Sequence, residues 1–174
     1  NSLESLNLDF THCYKLNDIS PLEGLKELTK INSLKLSFVG CTTLTDIKPL
    51  QVILEKLDKL NSLKLNFGHC EKLTDISPLK SVDKLVDLRD VSFSFVHCAV
   101  LSDISPLQVL GELSYLTSVY LDFMNCHKLL DIRPLKGKTQ LGSANGVNAK
   151  VRFRDGSKFT SLQMVPNMPI ANPW

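Results

Sequence analysis

From Leu3 to Leu22 the chain reads LESLNLDFTHCYKLNDISPL, and the same frame returns from Leu116 to Leu135 as LTSVYLDFMNCHKLLDIRPL. Three more copies lie between them. The five cysteines Cys13, Cys41, Cys70, Cys98 and Cys126 are spaced by 28, 29, 28 and 28 residues. All five copies fit the template L-x-x-L-x-L-x-F-x-x-C-x-x-L-x-D-I-x-P-L, with conservative exchanges such as Val91 and Phe93 for leucines in the fourth. A period of this length makes each copy one supersecondary unit that cannot enclose its own apolar side and must stack on its neighbours.

Within a copy, Leu6, Leu8 and Phe10 alternate with Asn7 and Asp9, the period of a strand with one buried face. A turn carrying the cysteine follows. Next comes Asp-Ile-Ser-Pro-Leu, in which Ser20, Ser77 and Ser105 are expected to cap helical segments opened by Pro21, Pro78 and Pro106; Lys48 and Arg133 replace the serine in two copies. After the proline, Leu22, Leu25 and Leu28 recur at threes, as do Leu79, Val82 and Leu85, and Leu107, Leu110 and Leu113. That spacing predicts a short α or 3₁₀ helix with one apolar stripe. The repeats span about 3–30, 31–59, 60–87, 88–115 and 116–136, the extra residue of the second falling in its helical segment. Each fully buried Leu or Phe then contributes roughly 1.5–3 kcal/mol.

Over Leu3 to Leu135 these residues resemble the leucine-rich-repeat family. The resemblance implies an α/β solenoid, a horseshoe with a parallel β-sheet on its concave face and short α or 3₁₀ helices on its convex face. The strand followed by a cysteine is similar to the cysteine-containing type of ubiquitin-ligase substrate receptors, with two more residues between strand and cysteine. The L-x-D-I-x-P-L turn is similar to that of internalin-like repeats.

From Gly137 the template fails, and 138–148 is rich in Gly, Ser, Asn and Thr, which reads as a loop or degraded repeat. Val147, Ala149, Val151 and Phe153 alternate with polar residues; Arg154-Asp155-Gly156-Ser157 offers a tight turn, and Phe159 to Val165 returns as a second strand. Residues 137–165 are thus expected to be a degenerate repeat or β-hairpin cap over the open end, since a bare apolar edge invites aggregation. The tail 166–174, with three prolines, is expected to be extended and to dock through Trp174.

With 43% hydrophobic and 22% charged residues the composition is that of an ordinary globular domain, which excludes disorder. The formal charge is +2, and no run of five or six like charges marks a basic arm, so nucleic acid is not the expected partner. Apolar runs are broken by Lys, Asp or Glu well short of the ~20 residues a membrane span needs. The opening residues Asn1 to Glu4 carry neither an initiator Met nor a signal pattern, which reads as a chain processed or excised from something longer.

The cysteines recur at one equivalent position per turn and are expected to form an inward-facing ladder of structural thiols; persistent free thiols favour an intracellular setting. His12-Cys13, His69-Cys70, His97-Cys98 and Cys126-His127 pair the residue types of metal and thiol chemistry. Neighbours in sequence point apart, however, and no C-x-x-C spacing exists, so neither a zinc site nor a Cys-His hydrolase is expected. The repeated Asp18, Asp46, Asp75, Asp103 and Asp131 read as turn formers rather than calcium ligands. No phosphate-binding loop, H-E-x-x-H helix or nucleophile elbow is present. Neither enzymatic activity nor a cofactor is expected.

Function then falls to the outward strand positions, which vary while the frame repeats. They form four rows: Ser5, Ser33, Ser62, Asp90, Ser118; Asn7, Lys35, Lys64, Ser92, Tyr120; Asp9, Ser37, Asn66, Ser94, Asp122; and Thr11, Val39, Gly68, Val96, Met124. The expected partner-binding residues are Asn7, Asp9, Lys35, Lys64, Asn66, Tyr120, Asp122 and Met124, with Tyr120 and Met124 as anchors. Five strands ~4.8 Å apart make a sheet about 20 Å wide, small beside a standard interface. Neighbouring subunits are therefore also expected at the N-terminal edge formed by Leu3, Leu6, Leu8 and Phe10. The expected role is a protein-binding or scaffold module. The alternatives are a structural subunit of a large complex or a substrate-recognition adaptor of a ubiquitin ligase.

Overall fold

The structure, a computed structural model, describes residues 3–131, 133–135 and 148–152. Six five-residue strands form one parallel sheet in chain order: β1 (Ser5–Asp9), β2 (Ser33–Ser37), β3 (Ser62–Asn66), β4 (Asp90–Ser94), β5 (Ser118–Asp122) and β6 (Asn148–Arg152). Because the repeat length scarcely varies, equivalent residues face each other, as in Leu8↔Leu36, Leu36↔Leu65, Leu65↔Phe93 and Phe93↔Leu121. Hydrogen bonds between turns extend past the strands. Asn32 and Ser33 donate to the Glu4 carbonyl, and His12 N–H donates to Val39 O.

Between strands the chain returns through 3₁₀ helices at Ser20–Glu27, Ser77–Lys84 and Ser105–Glu112, with a shorter one at Arg133–Leu135. The second repeat instead forms an α-helix, α1 (Pro49–Leu54), closed by Glu55 N–H donating to Gln51 O at 3.0 Å. An α-helix rises ~1.5 Å per residue against ~2.0 Å for 3₁₀, so it takes up the extra residue within a similar span.

The expected serine caps are not formed. Ile19, Ile76 and Ile104 occupy the N-cap positions, with no side-chain capping bond. The carboxylate two residues before the serine acts instead: Asp18, Asp75 and Asp103 accept the N–H of Ser20, Ser77 and Ser105 at 2.7–2.8 Å, and Asp46 accepts that of Lys48 at 2.8 Å. Any residue but proline supplies the required N–H, and Lys48 can therefore stand where three of the copies have serine.

The core is a set of files running along the stack. Phe10, Phe38, Phe67, Phe95 and Phe123 stack ring on ring, with centroids 5.3–5.5 Å apart and planes within 14° of parallel. From Ile31 to Val119 the template's apolar positions are almost entirely buried, whereas Leu6, Leu8, Phe10, Leu16, Leu22, Leu25 and Leu28 in the first repeat are only partly covered. At the other end β6 pairs with β5 in register, Ser118↔Asn148 to Asp122↔Arg152, as a sixth parallel rung. The expected return strand 159–165 and Trp174 lie outside the described residues. No helix among the described residues is long and apolar enough to cross a membrane.

Candidate interaction surface

On the outward face of the sheet, exposure falls over the first three rows. The row of Ser5, Ser33, Ser62, Asp90 and Ser118 is exposed or half-buried; in the next, Asn7 is exposed while Lys35, Lys64 and Tyr120 are half-buried. The third row sinks into the turn. Ser37, Asn66, Ser94 and Asp122 are buried, and of this row only Asp9, on the edge strand, is exposed.

The reason is local. Where this position is Asp or Asn, the side chain folds over its own backbone to accept the N–H two residues on. Asn66 Oδ1 takes Gly68 N–H at 3.0 Å, Asp9 Oδ1 takes Thr11 N–H at 2.9 Å, and Asp122 Oδ1 takes Met124 N–H at 3.1 Å. Hydrogen bonds from the Thr11 hydroxyl and N–H hold the Asp9 carboxyl below its usual range. Among the expected contact residues, Asn66 and Asp122 are thus sequestered by the turn, while Asn7, Asp9, Lys35, Lys64, Tyr120 and Met124 retain exposed surface.

Asp122 carries a larger network. Its Oδ2 accepts the Tyr120 hydroxyl at 2.9 Å and the Arg152 guanidinium at 3.1 Å, and Arg152 also donates to the Tyr120 oxygen at 3.3 Å. The network ties β5 to β6 and turns Tyr120 into a brace as well as a surface residue. Burial pushes the Tyr120 phenol up, and its hydrogen bond helps hold Arg152 protonated. Arg152 escaped the sequence reading because its repeat has lost the template; the available signal was the charge of Asp122 after the neutral Ser37, Asn66 and Ser94.

The cysteines lie behind this face. Cys41, Cys70, Cys98 and Cys126 are buried, and each Sγ donates to the phenylalanine carbonyl of the preceding turn: Phe10 at 3.3 Å, Phe38 at 3.2 Å, Phe67 at 3.1 Å and Phe95 at 3.0 Å. Burial pushes the thiols of Cys41 to about 11 and of Cys70 and Cys126 to about 12, and that of Cys98 upward as well. Such thiols are poor nucleophiles and poor metal ligands. Cys13 departs from the expected ladder and is exposed, since no described turn covers it.

The residue before each cysteine has a left-handed backbone: His12, His69, His97 and Asn125 at φ 60–63° and Gly40 at φ 74°. Gly, Asn and His are among the residues that tolerate this region best, so these histidines answer a backbone demand of the turn. Their rings lie along the stack: His69 on His97, with Asn125 Nδ2 donating to His97 Nε2 at 3.0 Å. A Cβ at Gly40 would come within 2.9 Å of His12 Nδ1. Among the described residues no group of three or more His, Cys, Asp or Glu is placed to hold a metal ion.

No protein-family model matches the chain, and no curated protein matches it. Among solved structures, the crystal structure of an internalin from Listeria monocytogenes aligns over 88% of this chain and 61% of its own, with 18% sequence identity and a TM-score of 0.29. The chain thus spans about three fifths of that internalin's length, and at that TM-score the likeness carries no argument about fold or role.

Proposed function

We propose that the chain is a leucine-rich-repeat module, curved with its strand face concave, that binds a protein partner on that face and performs no catalysis. The supporting observation is the division of labour along each strand. Leu36, Leu65, Phe93 and Leu121 keep the inward positions apolar and buried, while the row Asn7, Lys35, Lys64, Ser92, Tyr120 carries four residue types over five rungs of an in-register sheet. A surface whose chemistry varies on a fixed frame suits recognition. Burial makes Cys41, Cys70, Cys98 and Cys126 poor nucleophiles, which supports a structural use of these thiols.

One observation favours a second contact. The first repeat leaves Leu6, Leu8, Phe10, Leu16, Leu22, Leu25 and Leu28 only partly covered, with Leu3 44% exposed, so a scaffold role with a neighbour seated against β1 accounts for that edge. The adaptor role in a ubiquitin ligase has no separate support.

Site-specific photocrosslinking in an extract of the source cells tests the reading. A photoreactive residue at Asn7 or Met124 should give a discrete adduct, and one at Lys80 or Gln108, exposed on the helical side, should not. Adducts confined to the helical side would refute strand-face binding; adducts from position 3 alone would favour the scaffold.

A further inference from the structure

We infer that the open edge of β1 pairs with β1 of a second copy of the chain, antiparallel and about a twofold axis through Asn7. This rests on the reading of a neighbour seated against β1 and names that neighbour. β1 pairs with β2 on one side and, among the described residues, with no strand on the other. Phe10 and His12 donate their N–H groups to the carbonyls of Ser37 and Val39, so by alternation the N–H and C=O of Ser5, Asn7 and Asp9 point away from β2. Such a row of backbone groups is a template for another strand.

Antiparallel pairing centred on Asn7 uses all three residues. Asn7 exchanges two hydrogen bonds with Asn7 of the copy, and each Ser5 exchanges two with Asp9 opposite it, because hydrogen-bonded pairs recur at every second residue. Leu6 then falls opposite Leu8 of the copy on the inward face, where both are only partly covered. Leu22, Leu25 and Leu28 of the return segment, also partly covered, flank the same edge, and the axis brings them against their counterparts. A surface that meets itself in this way closes at two copies.

Charge distinguishes β1 from the inner strands built on the same template. At the centres of β2 and β3 stand Lys35 and Lys64, which would meet their own like across such an axis, whereas β1 carries the neutral Asn7. Lysine and proline are common guards of free edges, and 3–9 holds neither. The acids fit as well: Asp9 falls opposite Ser5 of the copy and Glu4 opposite Phe10, so no acid meets an acid. Asp9 is besides turned back on its own strand, accepting the N–H and hydroxyl of Thr11. Moving the axis to Asp9 would set two carboxylates face to face.

Sedimentation velocity of the 174-residue chain over a wide range of concentration tests the pairing. A monomer–dimer equilibrium is expected. Asn7→Lys, with an unchanged circular dichroism spectrum, should raise the dimer dissociation constant about fivefold by setting like charges across the axis. Ser5→Lys should lower it by bringing an ammonium to Asp9 of the copy, and both effects should shrink in high salt. Lys64→Asn, on the same row of an inner strand, should leave it unchanged. A dimer indifferent to both edge variants, or weakened by both, would overturn the pairing, as would assemblies that grow past two copies. A chain monomeric throughout would overturn it too; adducts to a different protein from a photoreactive residue at position 3 would then keep a neighbour at β1, and no adduct there would remove both.

Discussion

The imidazoles of His69 and His97, one repeat apart, lie face to face with centroids 4.4 Å apart and planes 18° from parallel. Each sits in the left-handed region immediately before a buried cysteine, where other copies carry Gly40 and Asn125. The backbone sets the requirement at this position. His69→Asn or His69→Gly should therefore change stability by less than about 1 kcal/mol, whereas His69→Val should cost about 1–3 kcal/mol, because a β-branched residue is strained at positive φ. Urea denaturation of the three variants checks this.

Phe67 stacks on both sides, against Phe38 and Phe95, while Phe10, partly exposed, stacks among the described residues on Phe38 alone. Removing the Phe67 ring leaves a cavity in the middle of the file. Phe67→Ala should cost about 3–5 kcal/mol, and Phe10→Ala distinctly less. Equal losses at the two positions would contradict the stacked file.

Acid should loosen the turns before the helices. The backbone N–H of Ser77 holds the Asp75 carboxyl below its usual range, and that of Ser20 does so for Asp18. A folded-state pKa below the unfolded one contributes stability that is fully present above the unfolded pKa, near 4, and lost as pH falls through the folded value. Melting temperature should thus drop as pH is lowered below about 4. Asp75→Asn, which keeps an acceptor oxygen without the titrating charge, should make that drop shallower.

Arg152 reaches from β6 to the buried Asp122 at 3.1 Å. Arg152→Ala would strand a carboxylate whose side chain is 5% exposed, at a cost of about 1–3 kcal/mol for a pair partly open to water. The effect should be local. Hydrogen exchange at Asn148–Arg152 should speed up in the variant while β2 to β4 keep their protection, and uniform loss through all strands would show that the network does not belong to the end rung.

The parallel strands, their register and the apolar files were legible because a 28-residue period forces equivalent residues onto equivalent rungs. What the period hides is the difference between positions that repeat for packing and those that repeat for backbone geometry. His12, His69 and His97 suggested chemistry beside a thiol, and the clue that the turn needs positive φ lay in Gly40 and Asn125 at the equivalent places. Asn66 and Asp122 read as surface because alternation places them outward, yet a short polar side chain after a strand is drawn back to the next turn's N–H. β6 lies in the stretch 137–165 that reads as either a degenerate repeat or a hairpin cap, and the choice was obscured because Asn148 lies 30 residues after its partner Ser118, with the template lost between them.

The stacked turns are tested most directly by counting reactive thiols in the native 174-residue chain. Each of Cys41, Cys70, Cys98 and Cys126 is buried and donates to the turn before it, while Cys13 is exposed. The thiolate is the reactive form, and burial makes it scarce at those four. With a chromogenic disulfide reagent near pH 8, one thiol of the five should react at once, and the other four only as fast as the protein unfolds. Two or more rapid thiols, or fewer than five after full denaturation, would contradict the architecture.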